Sequence, residues 1–231
     1  MSIFLYISIA LLPSVIWLIF YLREDGHPEP NKTIIKIFLM GMLGAPVVVV
    51  LEFLYNFSLG FRGTDGLDSG YFPLFLGIAF IEEYYKYLVV RFGVLKKKEF
   101  DEPVDAMEYL IIAALGFAAL ENIFYIFPLF TESFSSGAQL TILRFLGATF
   151  LHTLASGIAG FFLAMNIFAK KPRFYFYFGL ICAALFHSFF NYFIIKEAGP
   201  LFVVSLILSM FFIVLWMFQI LKKLGKVGEI A

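Results

Sequence analysis

Seven apolar runs dominate the chain, at roughly residues 2–22, 33–55, 72–94, 104–128, 139–168, 174–195 and 199–221. A helix needs roughly 20 apolar residues to cross the hydrocarbon core of a bilayer, and each run has about that length or more. Backbone groups in lipid must be satisfied internally, which leaves helices or a closed barrel. The runs are too long and too uniformly apolar for the alternating strands of a barrel. The expected fold is therefore all-α, a polytopic membrane helix bundle of about seven transmembrane helices. The longest run, 139–168, is expected to tilt or to extend past the membrane. A mean hydropathy of +0.91, with 61% hydrophobic and 15% charged residues, excludes an ordinary soluble domain and a disordered chain. A net charge of zero gives no reason to expect a nucleic-acid partner. The lone Cys182 cannot form an intrachain disulfide. The first run shows no cleavage pattern of a signal peptide and is expected to remain as a helix. No linker, repeat or low-complexity tract divides the 231 residues, so 1–231 read as a single integral-membrane domain.

The loops give an orientation. Arg23, Lys32 and Lys36 lie in or near the first loop, and Arg91, Lys96, Lys97 and Lys98 flank the third. Lys170, Lys171 and Arg173 fill the fifth, and Lys222, Lys223 and Lys226 follow the last run. The loops between carry only Arg62 and Lys196. Basic residues therefore alternate loop by loop, which by the positive-inside rule places the N-terminus outside and the C-terminus in the cytoplasm. The loop 56–70 reads as a mobile external turn region, and the stretch from Glu24 to Pro30 as a polar, proline-rich one.

Against this background a few polar residues stand out. Glu82, Glu83 and Lys86 sit inside the third run, Glu121 and Asn122 inside the fourth, His152 and Ser156 inside the fifth, and His187 and Asn191 inside the sixth. Ionisable groups at bilayer depth are costly and usually mark a site. Residues three and four apart share a helix face, so both glutamates reach Lys86 and His187 points the same way as Asn191. A buried ion pair or interhelical hydrogen bonding would account for any one of these segments. Two acids against one base leave a surplus carboxyl, and four such segments together read as one constellation, the active site of an intramembrane hydrolase. Counting residues along alternating helices puts the groups at similar depth in the outer leaflet; Glu121 lies about 17 residues, or roughly 25 Å, from the cytoplasmic end of its run. Arg144 is expected to snorkel to the outer interface, and Glu52, near the outer end of its run, to reach water.

Glu82-Glu83-x-x-Lys86, Phe117-x-x-x-Glu121-Asn122, His152 and His187-x-x-x-Asn191 resemble, in order, the PrsW family of intramembrane proteases, related to the CAAX prenyl protease and bacteriocin-immunity superfamily. Pro28-Glu29-Pro30 and Glu102-Pro103-Val104-Asp105 are similar to further family features. The wider superfamily usually has a histidine in the second motif and an arginine in the first. Glu121 and Lys86 stand there in this chain, which favours the PrsW branch. The resemblance implies a multi-pass protein of a bacterial or archaeal cell membrane. It also implies site-1 cleavage of a single-span membrane protein, such as an anti-sigma factor, on the outer side.

The expected chemistry is peptide hydrolysis. Glu82 or Glu83 would be the general base for water. Glu121, His152 and His187 would hold a divalent metal, zinc being the first candidate, since three His/Glu ligands with an open water position suit a catalytic zinc. Asn191 would stabilise the oxyanion, and Lys86 would neutralise one glutamate. No His-Glu-x-x-His helix signature is present, so a metal-free, glutamate-type peptidase stays open. An ion-coupled transporter and a non-catalytic membrane scaffold are the competing classes.

Overall fold

The computed structural model describes residues 3–24 and 28–228. Asp25, Gly26 and His27 of the expected proline-rich loop lie outside the described residues, as does the first residue of the run expected from residue 2. Among the described residues every regular element is a helix: α1 (Ile3–Glu24), α2 (Asn31–Ser58), α3 (Asp65–Ser69), α4 (Phe72–Gly93), α5 (Asp105–Glu132), α6 (Phe134–Leu146), α7 (Ala148–Ile167), α8 (Phe174–Ile195) and α9 (Pro200–Gly228). Six segments are long and apolar enough to cross a membrane: Ile3–Arg23, Asn31–Ser58, Asp105–Glu132, Phe134–Ile167, Phe174–Ile195 and Pro200–Gly225. The protein is a multi-pass membrane protein. α4 matches α1 in length but carries Glu82, Glu83, Lys86 and Arg91, and is not among the six.

α5 is the axle of the bundle. Every residue from Asp105 to Ala119 is buried, and the helix packs on α1, α2, α4, α6 and α7. Small residues set its spacing. A Cβ on Gly116 would stand 2.0 Å from the Phe38 carbonyl oxygen of α2, and one on Gly160 of α7 would stand 2.6 Å from Met107 Cα. Such backbone-to-backbone contact is what replaces the hydrophobic effect between helices in lipid. Bulky side chains such as Leu43, Phe92, Phe124, Leu201 and Trp216 point outward, where acyl chains would solvate them.

The start of α5 is fixed by polar contacts. There the Asp105 carboxylate accepts the backbone N–H groups of Asp101 (2.8 Å) and Glu102 (2.7 Å), closing the loop that leads into the helix. Tyr109 donates to Glu29, tying the Pro-Glu-Pro stretch to the same helix. The loop 56–70, expected to be mobile and external, contains α3, held by Asn56 to the Gly63 carbonyl at 2.8 Å and by Lys196 to the Asp68 carbonyl at 3.2 Å.

The longest run is not one helix. It breaks at Gly147, whose φ of −106° and ψ of −92° interrupt the ladder between α6 and α7. The break changes the fate of Arg144. Snorkelling was expected, yet Arg144 is buried at 9% exposure, because the turn at Gly147 lays α6 beside the C-terminal part of α5, where acceptors are at hand.

Candidate active site

The polar residues of α4, α5, α7 and α8 converge between the helices. On α4, Glu83 and Lys86 are one turn apart, and Lys86 Nζ donates to Glu83 Oε1 at 2.6 Å. His187 Nδ1 on α8 lies 3.0 Å from the same oxygen, and Ser156 Oγ on α7 donates to Glu83 Oε2 at 2.7 Å. Glu83, fully buried, thus has both oxygens engaged. Because an ionised carboxylate only accepts, His187 donates from Nδ1, and in the neutral tautomer this leaves Nε2 with a lone pair. A carboxylate behind a histidine that frees the other nitrogen is the arrangement that orients metal-ligating imidazoles.

His152 on α7 is placed differently. Its Nδ1 lies 2.9 Å from Lys86 Nζ and its Nε2 lies 2.8 Å from Glu121 Oε2. An ammonium only donates, so Nδ1 accepts, and the proton sits on Nε2, directed at Glu121. Glu121 Oε2 also receives Arg144 Nη2 at 2.7 Å, while Arg144 Nε reaches Asn122 Oδ1 at 2.5 Å. Asn122, fully buried, donates to Thr149 Oγ1 at 3.1 Å. The guanidinium also lies 4.6 Å from the Tyr125 ring centroid.

Glu82 is the odd member. Its buried Oε2 has no hydrogen-bond partner among the described residues. It lies 3.5 Å from Lys86 Nζ, 3.8 Å from His152 Nδ1 and 3.8 Å from His187 Nε2. Three carboxyl groups face two fixed cations, and Glu82 is the one that no cation reaches within hydrogen-bonding geometry. The two imidazoles face each other edge to face, 4.8 Å between centroids. Glu82, His152 and His187 offer ligand atoms within 4.8 Å of one another, and these donors with an unsatisfied buried oxygen between them fit a divalent metal.

The surroundings are closed except on one side. The side chains of Lys86, Glu83, His152, His187 and Glu82 are 6% exposed or less, whereas Glu121 is 23% exposed and marks the way in. Its Oε1 makes no hydrogen bond among the described residues. Asn191, one turn beyond His187, is half-buried, and its amide is likewise uncommitted among the described residues. Glu52 of α2 is half-buried and pairs with no cluster member there.

Of the expected site residues, Glu82, Glu83, Lys86, Glu121, His152 and His187 form one connected network. Asn191 borders it on the face of His187. Sequence reasoning missed Arg144 as a member and gave Ser156 no role. The available signal was spacing: Arg144 lies two turns before His152 and Ser156 one turn after it, on nearly one face of a continuous helix. The break at Gly147 obscures that signal for Arg144.

A helical bundle that buries carboxylates, imidazoles and an ammonium in one network has the groups that a membrane-embedded enzyme needs for proton transfer and ion binding. A family model described as "PrsW family intramembrane metalloprotease" matches residues 29–217, and the chain belongs to that family. It is similar to "Protease PrsW" of Geobacillus kaustophilus, 30% identical over 196 residues that cover 84% of this chain and 81% of the relative. The "Protease PrsW" of Clostridioides difficile is 27% identical over 222 residues, 94% of this chain and 89% of the relative. That of Bacillus subtilis is 30% identical over 173 residues, 74% of this chain and 73% of the relative. No solved structure matches the chain. The protein is a membrane protease, a peptidase acting on substrates within the bilayer.

Proposed function

We propose that the protein is a metal-dependent intramembrane endopeptidase that cuts single-span membrane proteins near the outer face, in the manner of site-1 cleavage of an anti-sigma factor. The observation that carries the metal dependence is Glu82 Oε2, buried without a hydrogen bond and 3.8 Å from a nitrogen of each histidine. Glu82, His152 and His187 would hold the ion, zinc being the first candidate for a His/Glu set. When bound, it would polarise the scissile carbonyl and lower the pKa of a water. This exchanges two expected roles: Glu121, expected as a ligand, faces the other nitrogen of His152, and Glu82 takes its place among the donors.

The chain's own residues then divide the work. Glu83 orients His187 and holds Lys86. Glu121, the partly exposed carboxylate, accepts the proton of the attacking water on its free Oε1 and returns it to the leaving amine. Arg144 holds Glu121 in place by a charge-assisted bond. The Asn191 amide donates to the developing oxyanion. Burial between helices keeps bulk water from the network and strengthens each of these interactions.

The burial of Glu82, Glu83 and Lys86 against α7 and α8 supports seven spans, with α4 as the seventh and, of its charged groups, only Arg91, near its C-terminal end, exposed. The alternating basic loops support an external N-terminus and a cytoplasmic C-terminus, and the bacterial relatives support residence in a bacterial or archaeal cell membrane. The test is cleavage of single-span substrates by purified protein, with chelator and after zinc is restored. Loss on chelation and recovery with zinc is the expected result. Cleavage untouched by chelator in protein free of metal by elemental analysis would refute the metal dependence and favour glutamate-type hydrolysis.

A further inference from the structure

Lys86 occupies an unusual place. Its ammonium is wholly buried and reaches three members of the site: Glu83 Oε1 at 2.6 Å, His152 Nδ1 at 2.9 Å and Glu82 Oε2 at 3.5 Å. The Phe117 ring closes the remaining side, 4.9 Å from Nζ to its centroid. Two of these three partners belong to the metal-donor set.

An unprotonated imidazole nitrogen has a single lone pair, lying in the ring plane. A hydrogen-bond donor and a metal compete for it and approach along the same line. Zinc binds imidazole nitrogen at about 2.0–2.1 Å, on the path that Lys86 Nζ blocks at 2.9 Å. The other nitrogen offers no escape, because its proton is directed at Glu121 Oε2, 2.8 Å away. Among the described residues His187 Nε2 makes no hydrogen bond and Glu82 Oε2 has from Lys86 only the longer 3.5 Å contact, whereas His152 Nδ1 is capped.

We infer that Lys86 is a resident cation that holds the donor set together in place of the metal, and that a divalent ion completes its coordination only by displacing the ammonium from His152 Nδ1. This deepens the metal-dependent reading and rests on it. The displaced side chain keeps its partner on Glu83, one turn away on the same helix, so the swing costs one hydrogen bond and leaves the buried charge paired. The resident cation keeps two carboxylates and an imidazole assembled before an ion arrives. It also weakens binding, so the ion is held less tightly than its donors alone would hold it.

The test is binding of zinc, or of cobalt(II) read by its visible absorption, to purified protein in detergent. Lys86→Met should lower the dissociation constant by about tenfold or more, since a competing positive charge a few ångströms away is removed. Arg144→Met removes a positive charge that lies behind Glu121 instead, and should change affinity much less. Equal tightening by both variants would reduce the effect to bulk charge and overturn the inference.

A second measurement uses wild-type protein and does not depend on the variant folding. With ¹⁵N-histidine labelling the chain has only three imidazoles. Before metal, His152 should be the Nε2–H tautomer with Nδ1 accepting. Zinc should move the Nδ1 resonance to a metal-bound position. Zinc bound with that resonance unmoved would overturn displacement while leaving a metalloenzyme. No zinc binding by wild type or Lys86→Met, in protein that still cleaves, would overturn the metal reading and this inference with it.

Discussion

Glu82 and Glu83 are chain neighbours with opposite circumstances. Glu83 has its oxygens taken by Lys86, His187 and Ser156, while Glu82 has a buried oxygen with no hydrogen bond. Adjacent residues on a helix point about 100° apart, so one faces the seam of α7 and α8 and the other faces the space between the histidines. The contrast teaches that a satisfied buried carboxylate is structural equipment and an unsatisfied one is available for chemistry. A buried ion pair contributes little net stability, yet breaking it is costly. A buried polar atom without a partner is tolerated where function uses it.

The comparison can be broken most decisively at Glu82. Glu82→Gln should reduce cleavage by about 10³-fold or more, because it removes a ligand from a metal that supplies several kcal/mol of transition-state stabilisation. Thermal stability should fall less than for a change at Glu83, as only the 3.5 Å contact with Lys86 is weakened and no hydrogen bond is lost. Single-turnover cleavage and a melting curve in detergent check both halves. Retained cleavage would remove Glu82 from the mechanism.

Glu83→Ala should abolish most cleavage as well, but with a different signature. It strands Lys86 in an apolar interior and frees His187 to rotate, which should cost about 3–5 kcal/mol of stability. A variant that loses activity with an unchanged melting temperature would show Glu83 to be chemical and not structural.

Glu121→Gln separates proton transfer from ion binding. Cleavage should fall by about 10²-fold, the usual scale of general acid–base help, while zinc affinity changes by about tenfold or less. A parallel collapse of both would return Glu121 to the ligand set. Ser156→Ala is the mildest probe. It removes one of the hydrogen bonds on Glu83 and should cost about tenfold in zinc affinity, as supporting partners of ligands do. An effect as large as that of Glu83→Ala would mean that Ser156 touches the reacting groups.

Much was legible in the residues themselves, and for identifiable reasons. Hydropathy over some twenty residues reports membrane helices because lipid admits little else, and α1, α2, α5, α8 and α9 begin and end within several residues of the runs that implied them. The cost of burying charge in lipid made Glu82, Glu83, Lys86, Glu121, His152 and His187 conspicuous before any contact was known. The division of labour among them was not legible. Whether Glu121 or Glu82 stands between the histidines depends on helix rotation and depth to within a few ångströms, which no count of residues supplies. Arg144 was misread because one glycine, Gly147, bends a run that hydropathy presents as continuous.

The amino-acid sequence by itself determined that this chain is a helical membrane protein, that its polar groups gather in one site, and, through the order of its motifs, which family it resembles. The tertiary structure alone decided which oxygen and which nitrogen of each group are spent. A carboxylate or an imidazole carries the same formula wherever it sits. Only the partners brought to it by other helices settle whether it holds the fold, holds a neighbour, or is left free to react.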